Sequence, residues 1–318
     1  MDFRFTEDQL LFADSVRDYL AGTHGPEVLR RLDASHEEGQ GNRDPAIWQG
    51  LVEMGLTGLL VPEDHGGLGM GLIEAALIAA ECGRACLAEP LVDTAFVGVP
   101  WLVARGETAG LDEVVAGTRR IPLPHAINPW VADGEGAALN SVDPLRNLVA
   151  GSGPDDAHLL NLGALMAAAQ LVGIADAMLA QAVEYAKVRT QFGQAIGGFQ
   201  AIKHQLASCA VAIEFAKPVV WRAAAAMQAG DAHAGTHVSH AKLAATDAAT
   251  LTAETAIQVH GAMGYTYEVD LHFWMKRAWA LSGAWGDRSF HVRRIDDAVI
   301  GGPQEGPTMP IGPEHTFA

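Results

Sequence analysis

Residues 188–204 read VRTQFGQAIGGFQAIKH and interrupt an alanine-rich part of the chain with glycines, glutamines and aromatic residues. Long segments in which apolar residues recur at helical spacing lie on both sides, at residues 159–188, 199–229 and 236–259. Because small residues occur on several faces of these segments, they predict antiparallel helices packed in a bundle. Residues 188–204 are therefore predicted to form a turn between two long helices.

A second glycine cluster, QVHGAMGYTYE at residues 258–268, follows the third of these long helices. Each cluster combines glycines with an amide side chain and an aromatic ring, and the first also carries Arg189. Glycines let backbone N–H groups approach a phosphate closely, Arg supplies positive charge, and Gln forms directional hydrogen bonds to a sugar or a base. The two turns together predict a site for a nucleotide-like ligand.

The N-terminal part of the chain, residues 1–118, is predicted to be a helical domain. Thr6 and Gln9 have the spacing of a capping box, and Phe5 and Leu10 occupy the positions of a hydrophobic staple. The segment GLLVPEDHGGLG at residues 58–69 is predicted to be a loop, and a long apolar helix is expected from Leu72 onward.

Residues 119–152 differ from the rest of the chain because they are rich in Pro, Gly and Asn, with only short apolar runs. They have room for about three or four strands of roughly 5 to 6 residues each, which is too little for a β-domain with its own core. The sequence thus predicts a mainly α fold in which this short β segment separates the N-terminal domain from a helical bundle at residues 153–300. Residues 301–318 are predicted to form an irregular tail.

The composition limits the classes of partner. The 318-residue chain is 49% hydrophobic, enough for more than one core, and its net charge of −17 disfavours nucleic acid and anionic membranes. We found neither a basic start followed by an apolar signal region nor an unbroken apolar run of about 18 to 20 residues, and we expect a cytoplasmic protein. Cys82, Cys86 and Cys209 form no CxxC pair, so we expect them to pack as small apolar residues.

Three segments, in this order along the chain, resemble signatures of the flavin-dependent acyl-CoA dehydrogenases. They are GLLVPEDHGGLG at residues 58–69, RTQFGQAIGGFQAIKH at residues 189–204 and QVHGAMGYTYE at residues 258–268. The resemblance covers residues 1 to about 115 and 155 to about 300. It implies an N-terminal helical domain, a middle β-domain, a C-terminal four-helix bundle that drives assembly, and FAD as the cofactor.

The resemblance also implies which residues contact FAD. In the family these two turns line the pyrophosphate and adenosine of an FAD that is shared between two subunits. Carried over by motif position, the cofactor-binding candidates are Arg189, Gln191, Phe192, Gly193, Ile196, Gln200, Gln258, Gly261, Ala262 and Gly264.

The general base of the family has no counterpart at either of its usual positions. The family removes a proton from the carbon α to an acyl-CoA thioester, which requires a carboxylate. One usual position, 27 residues after the motif Gln, is Trp285 here, and the other, 26 residues before the motif Arg, is Gly163. Ala164 stands where the family often has an Arg near the acyl-CoA. We therefore assign no catalytic residue to this chain, and Asp287 is the only nearby candidate.

The features that the family uses for catalysis, the general base and a full middle β-domain, are missing, whereas the turns that contact FAD are retained. This pattern resembles the truncated, non-catalytic subunit of hetero-oligomeric acyl-CoA dehydrogenases that actinobacteria use on steroid side chains. It implies a complete, catalytic partner subunit, an assembly of two plus two chains, and an acyl-CoA substrate bound mainly by that partner. Two alternatives stay open: a self-sufficient dehydrogenase that uses Asp287 as its base, and a scaffold or pseudoenzyme that binds no flavin.

Other groups of residues suit packing better than chemistry. His233, His237 and His240 fall at i, i+4 and i+7, where metal ligation is geometrically feasible, but we expect a solvated histidine face and no metal. A set of aromatic side chains and histidines near the second turn is expected to lie in the core or at a subunit interface. These residues are His260, His272, Phe273, Trp274, Trp279 and Trp285.

Overall fold

A computed structural model describes residues 4–38, 42–134 and 136–301, so the predicted tail lies outside the described residues except for Gly301. The chain begins with a group of helices that includes the apolar helix predicted from Leu72. These helices are α1 (Glu7–Thr23), α2 (Pro26–Glu37), α3 (Pro45–Glu53) and α4 (Leu72–Arg84). A π-helix at Val92–Gly98 then leads into α5 (Val99–Ala104), and α6 (Leu111–Val115) completes this part of the chain.

The start of α1 confirms one local prediction and corrects another. Thr6 Oγ1 accepts a hydrogen bond from the Gln9 amide at 3.2 Å, and Gln9 Oε1 accepts one from the Thr6 amide at 2.9 Å, so the capping box is present. The predicted staple between Phe5 and Leu10 is wrong. Phe5 packs edge-on against Trp221, with ring centroids 5.9 Å apart, and Leu10 is 46% exposed. The tertiary contact with a large indole replaces the local one.

The middle segment contains little β-structure. Only two strands of three residues each form among its described residues, β1 (Trp130–Ala132) and β2 (Leu148–Ala150), and they pair antiparallel. The segment therefore stays within the three or four strands for which its length has room, and in its described residues it has no β-domain core of its own. Four prolines between residues 119 and 152 remove backbone donors that longer strands would need.

Buried ion pairs fix this segment to the helices on both sides. Arg43, which precedes α3, donates through Nε and Nη2 to the two carboxylate oxygens of Asp133, at 2.6 and 2.8 Å. Asp143 pairs with Arg277, and both side chains are almost completely buried. Because breaking a buried pair leaves an uncompensated charge, these contacts hold the segment in place against the helices.

The C-terminal part is a helical bundle, as the sequence predicts. Its helices are α7 (Ala157–Val188), α8 (Gln200–Gln228), α9 (Ala234–His260), α10 (Leu271–Gly283) and α11 (Arg288–Val299). A short hairpin of β3 (Thr190–Gln191) and β4 (Gln194–Ala195) connects α7 to α8. By length and composition α7 could span a membrane, but 83% of its most apolar stretch is buried inside the protein, so it is the central core helix.

Two glycines bring α4 and α7 into close contact. A Cβ on Gly83 would lie less than 3.0 Å from the carbonyl oxygen of Gln170, and a Cβ on Gly173 would lie less than 3.0 Å from that of Ala80. Any larger residue at either position would therefore push the two helices apart. This packing joins the N-terminal helices and the bundle in one continuous hydrophobic core, which also contains Cys82 and Cys86.

Candidate functional site

The turn of the hairpin between α7 and α8 is exposed to solvent. Phe192 and Gly193 have φ values of 53° and 82°, so both lie in the left-handed region that a two-residue type I′ turn requires. Phe192 is 93% exposed and touches Phe199 edge-on at a centroid distance of 6.2 Å. A Cβ on Gly193 would contact nothing within 4 Å, so the space beside this turn is open.

Polar groups of the first turn are free to bind a ligand. The side chains of Arg189, Gln191 and Gln200 are exposed, and Ile196 is half-buried beside them. Among the described residues, no hydrogen bond or ion pair of the Arg189 guanidinium group is present. The 29-residue helix α8 begins at Gln200, and its first amides add partial positive charge at the same place. This turn therefore suits an anionic group such as a pyrophosphate.

The second turn, after α9, also leaves backbone accessible. Gln258 and Ala262 are exposed, and a Cβ on Gly261, whose φ is 62°, would contact nothing within 4 Å. Gly264 differs from these residues, because it is buried and a Cβ there would lie 2.8 Å from the carbonyl oxygen of Ile257. The geometry gives Gly264 a role in closing the turn rather than in touching a ligand.

Both turns lie at the same end of the bundle. The helices α7 and α9 run in the same direction, and their last turns are joined by the ring of Tyr185, which stacks on His260 at a centroid distance of 4.3 Å. His260 is buried, and its Nδ1 lies 2.7 Å from the carbonyl oxygen of Ala256, so it packs as expected. The structure thus brings the two glycine clusters together, although they are about 60 residues apart in sequence.

The retained residues fit one end of a dinucleotide cofactor. A guanidinium group without a partner in the described part of the chain, open glycine backbone, a helix N-terminus and exposed amides are donors for a pyrophosphate and an adenosine. In its described residues, the middle segment supplies two short strands, β1 and β2, in place of a domain that could cover a flavin ring. The fit to FAD is therefore confined to its nucleotide side.

The two positions at which the family would place a base lie in direct contact with each other. Trp285 is buried in the loop between α10 and α11, and a Cβ on Gly163 of α7 would lie less than 3.0 Å from its indole Cδ2. Glycine at position 163 is what makes room for the indole. The space between the two positions is filled by a side chain that cannot accept a proton.

Hydrogen bonds hold Trp285 in this place. Its φ is 57°, its amide donates to Asn128 Oδ1 at 3.0 Å, and its carbonyl oxygen accepts from His291 Nε2 at 3.1 Å. Burial lowers the pKa of His291 to about 4, so the ring is neutral near pH 7 and Nε2 carries the hydrogen that this carbonyl needs. Asn128 belongs to the middle segment, which therefore helps to close the space rather than to form a substrate cavity.

Lys242 stabilises the same loop, which connects α10 to α11. Its ammonium group is buried and donates to the carbonyl oxygens of Ser282 at 2.9 Å and Gly286 at 3.4 Å. Burial lowers the pKa of Lys242 to about 7. No sequence pattern points to Asn128, His291 or Lys242, because their partners are defined by tertiary packing.

Asp287 has a structural role. Its Oδ1 accepts a hydrogen bond from the Phe290 amide at 2.8 Å, so it is the N-cap of α11. Its neighbour Arg288 pairs with Asp247 of α9 at 3.1 Å. The carboxylate of Asp287 is thus engaged in helix capping.

We expected the histidine face of α9 to be solvated, but its histidines differ in exposure. His237 is buried and lies 3.5 Å from Arg222 Nη2, whereas His240 is exposed. In the part of the chain that the structure describes, no three His, Cys, Asp or Glu side chains are grouped to hold a metal ion. Of the aromatic residues, Phe273, Trp274 and Trp285 lie in the core, and Trp279 is 45% exposed.

A helical N-terminal part, a helical bundle and two glycine turns at one end of that bundle define the acyl-CoA dehydrogenase class of folds. The chain matches the family profile "Acyl-CoA dehydrogenase, N-terminal domain" at residues 6–109 and "Acyl-CoA dehydrogenase, C-terminal domain" at residues 156–300. It is 30% identical to the acyl-CoA dehydrogenase IpdE2 of Mycobacterium tuberculosis, over 93% of this chain and 99% of the relative. The protein belongs to the acyl-CoA dehydrogenase family.

Solved structures share the fold. A chain of the ChsE4-ChsE5 complex from Mycobacterium tuberculosis superposes with a TM-score of 0.81 at 22% identity, covering 96% of this chain and all of that one. A chain of the Tcur3481-Tcur3483 steroid acyl-CoA dehydrogenase variant gives a TM-score of 0.78 at 23% identity, covering 92% of this chain and 97% of that one. Both of these structures are named as pairs of different chains.

Proposed function

We propose that this protein is the non-catalytic subunit of a hetero-oligomeric, FAD-dependent acyl-CoA dehydrogenase. The observation that carries the proposal is the contact between Trp285 and Gly163, which occupies both base positions of the family with side chains that cannot accept a proton. The names of ChsE4-ChsE5 and of the Tcur3481-Tcur3483 steroid enzyme support a paired assembly and a steroid or similarly bulky acyl chain. We place the assembly, two plus two chains, in the cytoplasm.

In this proposal the chain completes the nucleotide side of a shared cofactor site. FAD, when bound, accepts the hydride that leaves the β carbon of the acyl-CoA thioester. Arg189 and the first amides of α8 would hold the pyrophosphate, and Gln191, Gln200 and Gln258 would hydrogen-bond to the adenosine. The partner subunit supplies the general base, the cover of the flavin ring and most of the acyl-CoA contacts.

The structure weighs against both alternatives. A self-sufficient enzyme would need the Asp287 carboxylate for proton transfer, but that carboxylate caps α11. A scaffold that never binds flavin would have no use for an exposed Arg189, unpaired among the described residues, beside two open glycine turns. The half-site is the function that accounts for both the filled base positions and the open turns.

Replacing Asp287 by Asn should change the kcat/KM of the complex for an acyl-CoA by less than about twofold, because Asn caps a helix about as well as Asp. Replacing the base carboxylate of the partner subunit should lower the rate by about 10²- to 10⁴-fold. Steady-state flavin reduction by the acyl-CoA substrate measures both effects. Asp287→Ala is the matched control for the cap, and we expect it to cost about 1 kcal/mol of stability without loss of activity.

A drop of a hundredfold or more from Asp287→Asn, with the flavin content intact, would show that this chain carries the base. That result would favour the alternative function, a self-sufficient dehydrogenase, over the proposed half-site.

A further inference from the structure

A pocket of about 210 Å³ lies between the second half of α8 and the first two turns of α9. We call it the basic pocket. Its lining residues are Pro218, Val219 and Arg222 of α8 and His237 and His240 of α9, so every polar side chain among them is positively charged or can take up a proton. The pocket is smaller than the usual sites for drug-sized molecules, which occupy about 300 to 1,000 Å³. Its size suits a small polar group or ion.

The basic pocket lies far along the bundle from the two glycine turns. Arg222 follows Gln200, at the start of α8, by 22 residues, which corresponds to about 33 Å along the helix axis. His240 precedes Gln258, near the end of α9, by 18 residues, which corresponds to about 27 Å. None of the ten residues expected to contact FAD lines the pocket. A small ligand in the basic pocket would therefore not touch the half-site.

Arg222 has no carboxylate partner among the described residues. Its side chain is exposed, and its polar contact in that part of the chain is with His237, whose Nε2 lies 3.5 Å from Arg222 Nη2. Carboxylates are plentiful in the chain, which has 38 acidic and 21 basic residues. Lys217, five residues earlier on α8, pairs with both Asp176 and Glu214. The Arg222 guanidinium group thus keeps most of its five N–H donors for a ligand.

The two histidines of the pocket have different roles. Burial lowers the pKa of His237, and the charge of Arg222 lowers it further, so this ring is neutral near pH 7 and its Nε2 accepts from the guanidinium group. His240 is exposed and has no hydrogen bond or ion pair with the described residues. Asp231, whose charge opposes the lowering at His237, is exposed and accepts a hydrogen bond from the His233 amide at 2.7 Å. His237 therefore orients Arg222, and His240 remains available to a ligand.

These groups suit a tetrahedral oxyanion. A guanidinium group donates two parallel hydrogen bonds to a carboxylate or a phosphate group. His240 supplies a second donor from the other helix, and a phosphate group has further oxygens outside the plane of the first two. Since a water molecule occupies about 30 Å³ of the liquid, the pocket has room for about seven waters, which is enough for a phosphate group with a few attached atoms. No carboxylate in the lining repels an anion.

We propose that the basic pocket binds a phosphate group, as inorganic phosphate or as part of a small organic molecule, through Arg222 and His240. Arg222 supplies the positive charge and a pair of hydrogen bonds, and His240 donates to another oxygen of the same group. His237 holds the guanidinium group toward the pocket. The inference is independent of the half-site function, because it uses none of the residues assigned to that site.

The test is a calorimetric titration of inorganic phosphate into the full-length chain, in the assembly in which it purifies, at low ionic strength. We expect saturable binding of phosphate at the basic pocket of each copy of this chain. Arg222→Gln should weaken this binding at least about tenfold, and His240→Gln about three- to tenfold. Both side chains are exposed, so these changes leave the core intact. The matched control is Arg105→Gln, which removes an exposed arginine that pairs with Glu107 and should bind phosphate as the wild type does.

Two further comparisons locate the phosphate and identify its source. Arg189→Gln changes the cofactor half-site alone, so it should leave the phosphate site that depends on Arg222 unchanged. Glycerol 3-phosphate is compared with inorganic phosphate: tighter or equal binding of the ester assigns the pocket to an organic phosphate, and weaker binding assigns it to the free ion. The proposal is overturned if phosphate does not saturate a site, or if Arg222→Gln binds it as tightly as the wild type or as the Arg105→Gln control. Unchanged binding in His240→Gln would overturn the role of His240.

Discussion

Arg189→Ala in the assembled complex should weaken FAD binding by about 10- to 100-fold, because a charge-assisted hydrogen bond to a phosphate contributes about 1.5 to 3 kcal/mol. The guanidinium group is exposed, has no partner among the described residues, and stands at the start of the first turn. The flavin absorbance of the purified complex, titrated with FAD after removal of the cofactor, measures the change. Activity should fall with the flavin content and return when FAD is added in excess.

The matched control for this substitution is Arg105→Ala. Arg105 is also exposed, but it follows α5 and pairs with Glu107 at 2.7 Å, far from the bundle turns in the sequence. We expect the FAD content of the Arg105→Ala complex to equal that of the wild-type complex. If Arg189→Ala also leaves both flavin and activity unchanged, the chain is a scaffold and the half-site is wrong.

Gly163→Ala should destabilise the protein by about 1 to 3 kcal/mol or more, because the new Cβ would overlap the indole of Trp285. In an exposed helix the same change is favourable by about 0.5 to 1 kcal/mol, since glycine is a poor helix former. Gly22 of α1 provides that matched control, because a Cβ there would contact nothing within 4 Å. The free energy of unfolding, from urea denaturation, should therefore change in opposite directions for Gly163→Ala and Gly22→Ala.

A double-mutant cycle assigns this effect to the indole. Trp285→Leu alone should cost several kcal/mol, because it opens a cavity in a buried site. In the Trp285→Leu variant, the loss of unfolding free energy caused by Gly163→Ala should largely vanish. This gives a coupling free energy of about 1 to 3 kcal/mol between the two positions. If the two changes are additive, the indole does not occupy the space above Gly163, and the argument for a filled base position loses its support.

The long helices and the two turns could be predicted from the sequence because their signals are local. The periodicity of residues 159–188 and 236–259 recurs at every turn of helix, and glycine clusters end the helices where the structure ends them. The capping box at Thr6 follows the same rule, since its partners are three residues apart. The FAD contacts at these two turns stay a prediction, and the structure adds that Gly264 is buried.

The features that the sequence could not predict depend on distant partners. Phe5 packs against Trp221 rather than Leu10, and Arg288 pairs with Asp247 rather than Asp287, because packing brought a better partner from another helix. The middle segment is fixed by side-chain contacts such as the one between Asp143 and Arg277, so its strands are shorter than composition suggests. The contact of Gly163 with Trp285 has no local sequence pattern at all.

The flavin stoichiometry of the isolated chain and of the complex tests the central claim most directly. The chain purified alone should carry little or no FAD, because it offers contacts only to the nucleotide side of the cofactor. Co-expression with a complete acyl-CoA dehydrogenase subunit should give about one FAD per pair of different chains. One tightly bound FAD per copy of the isolated chain would contradict the account.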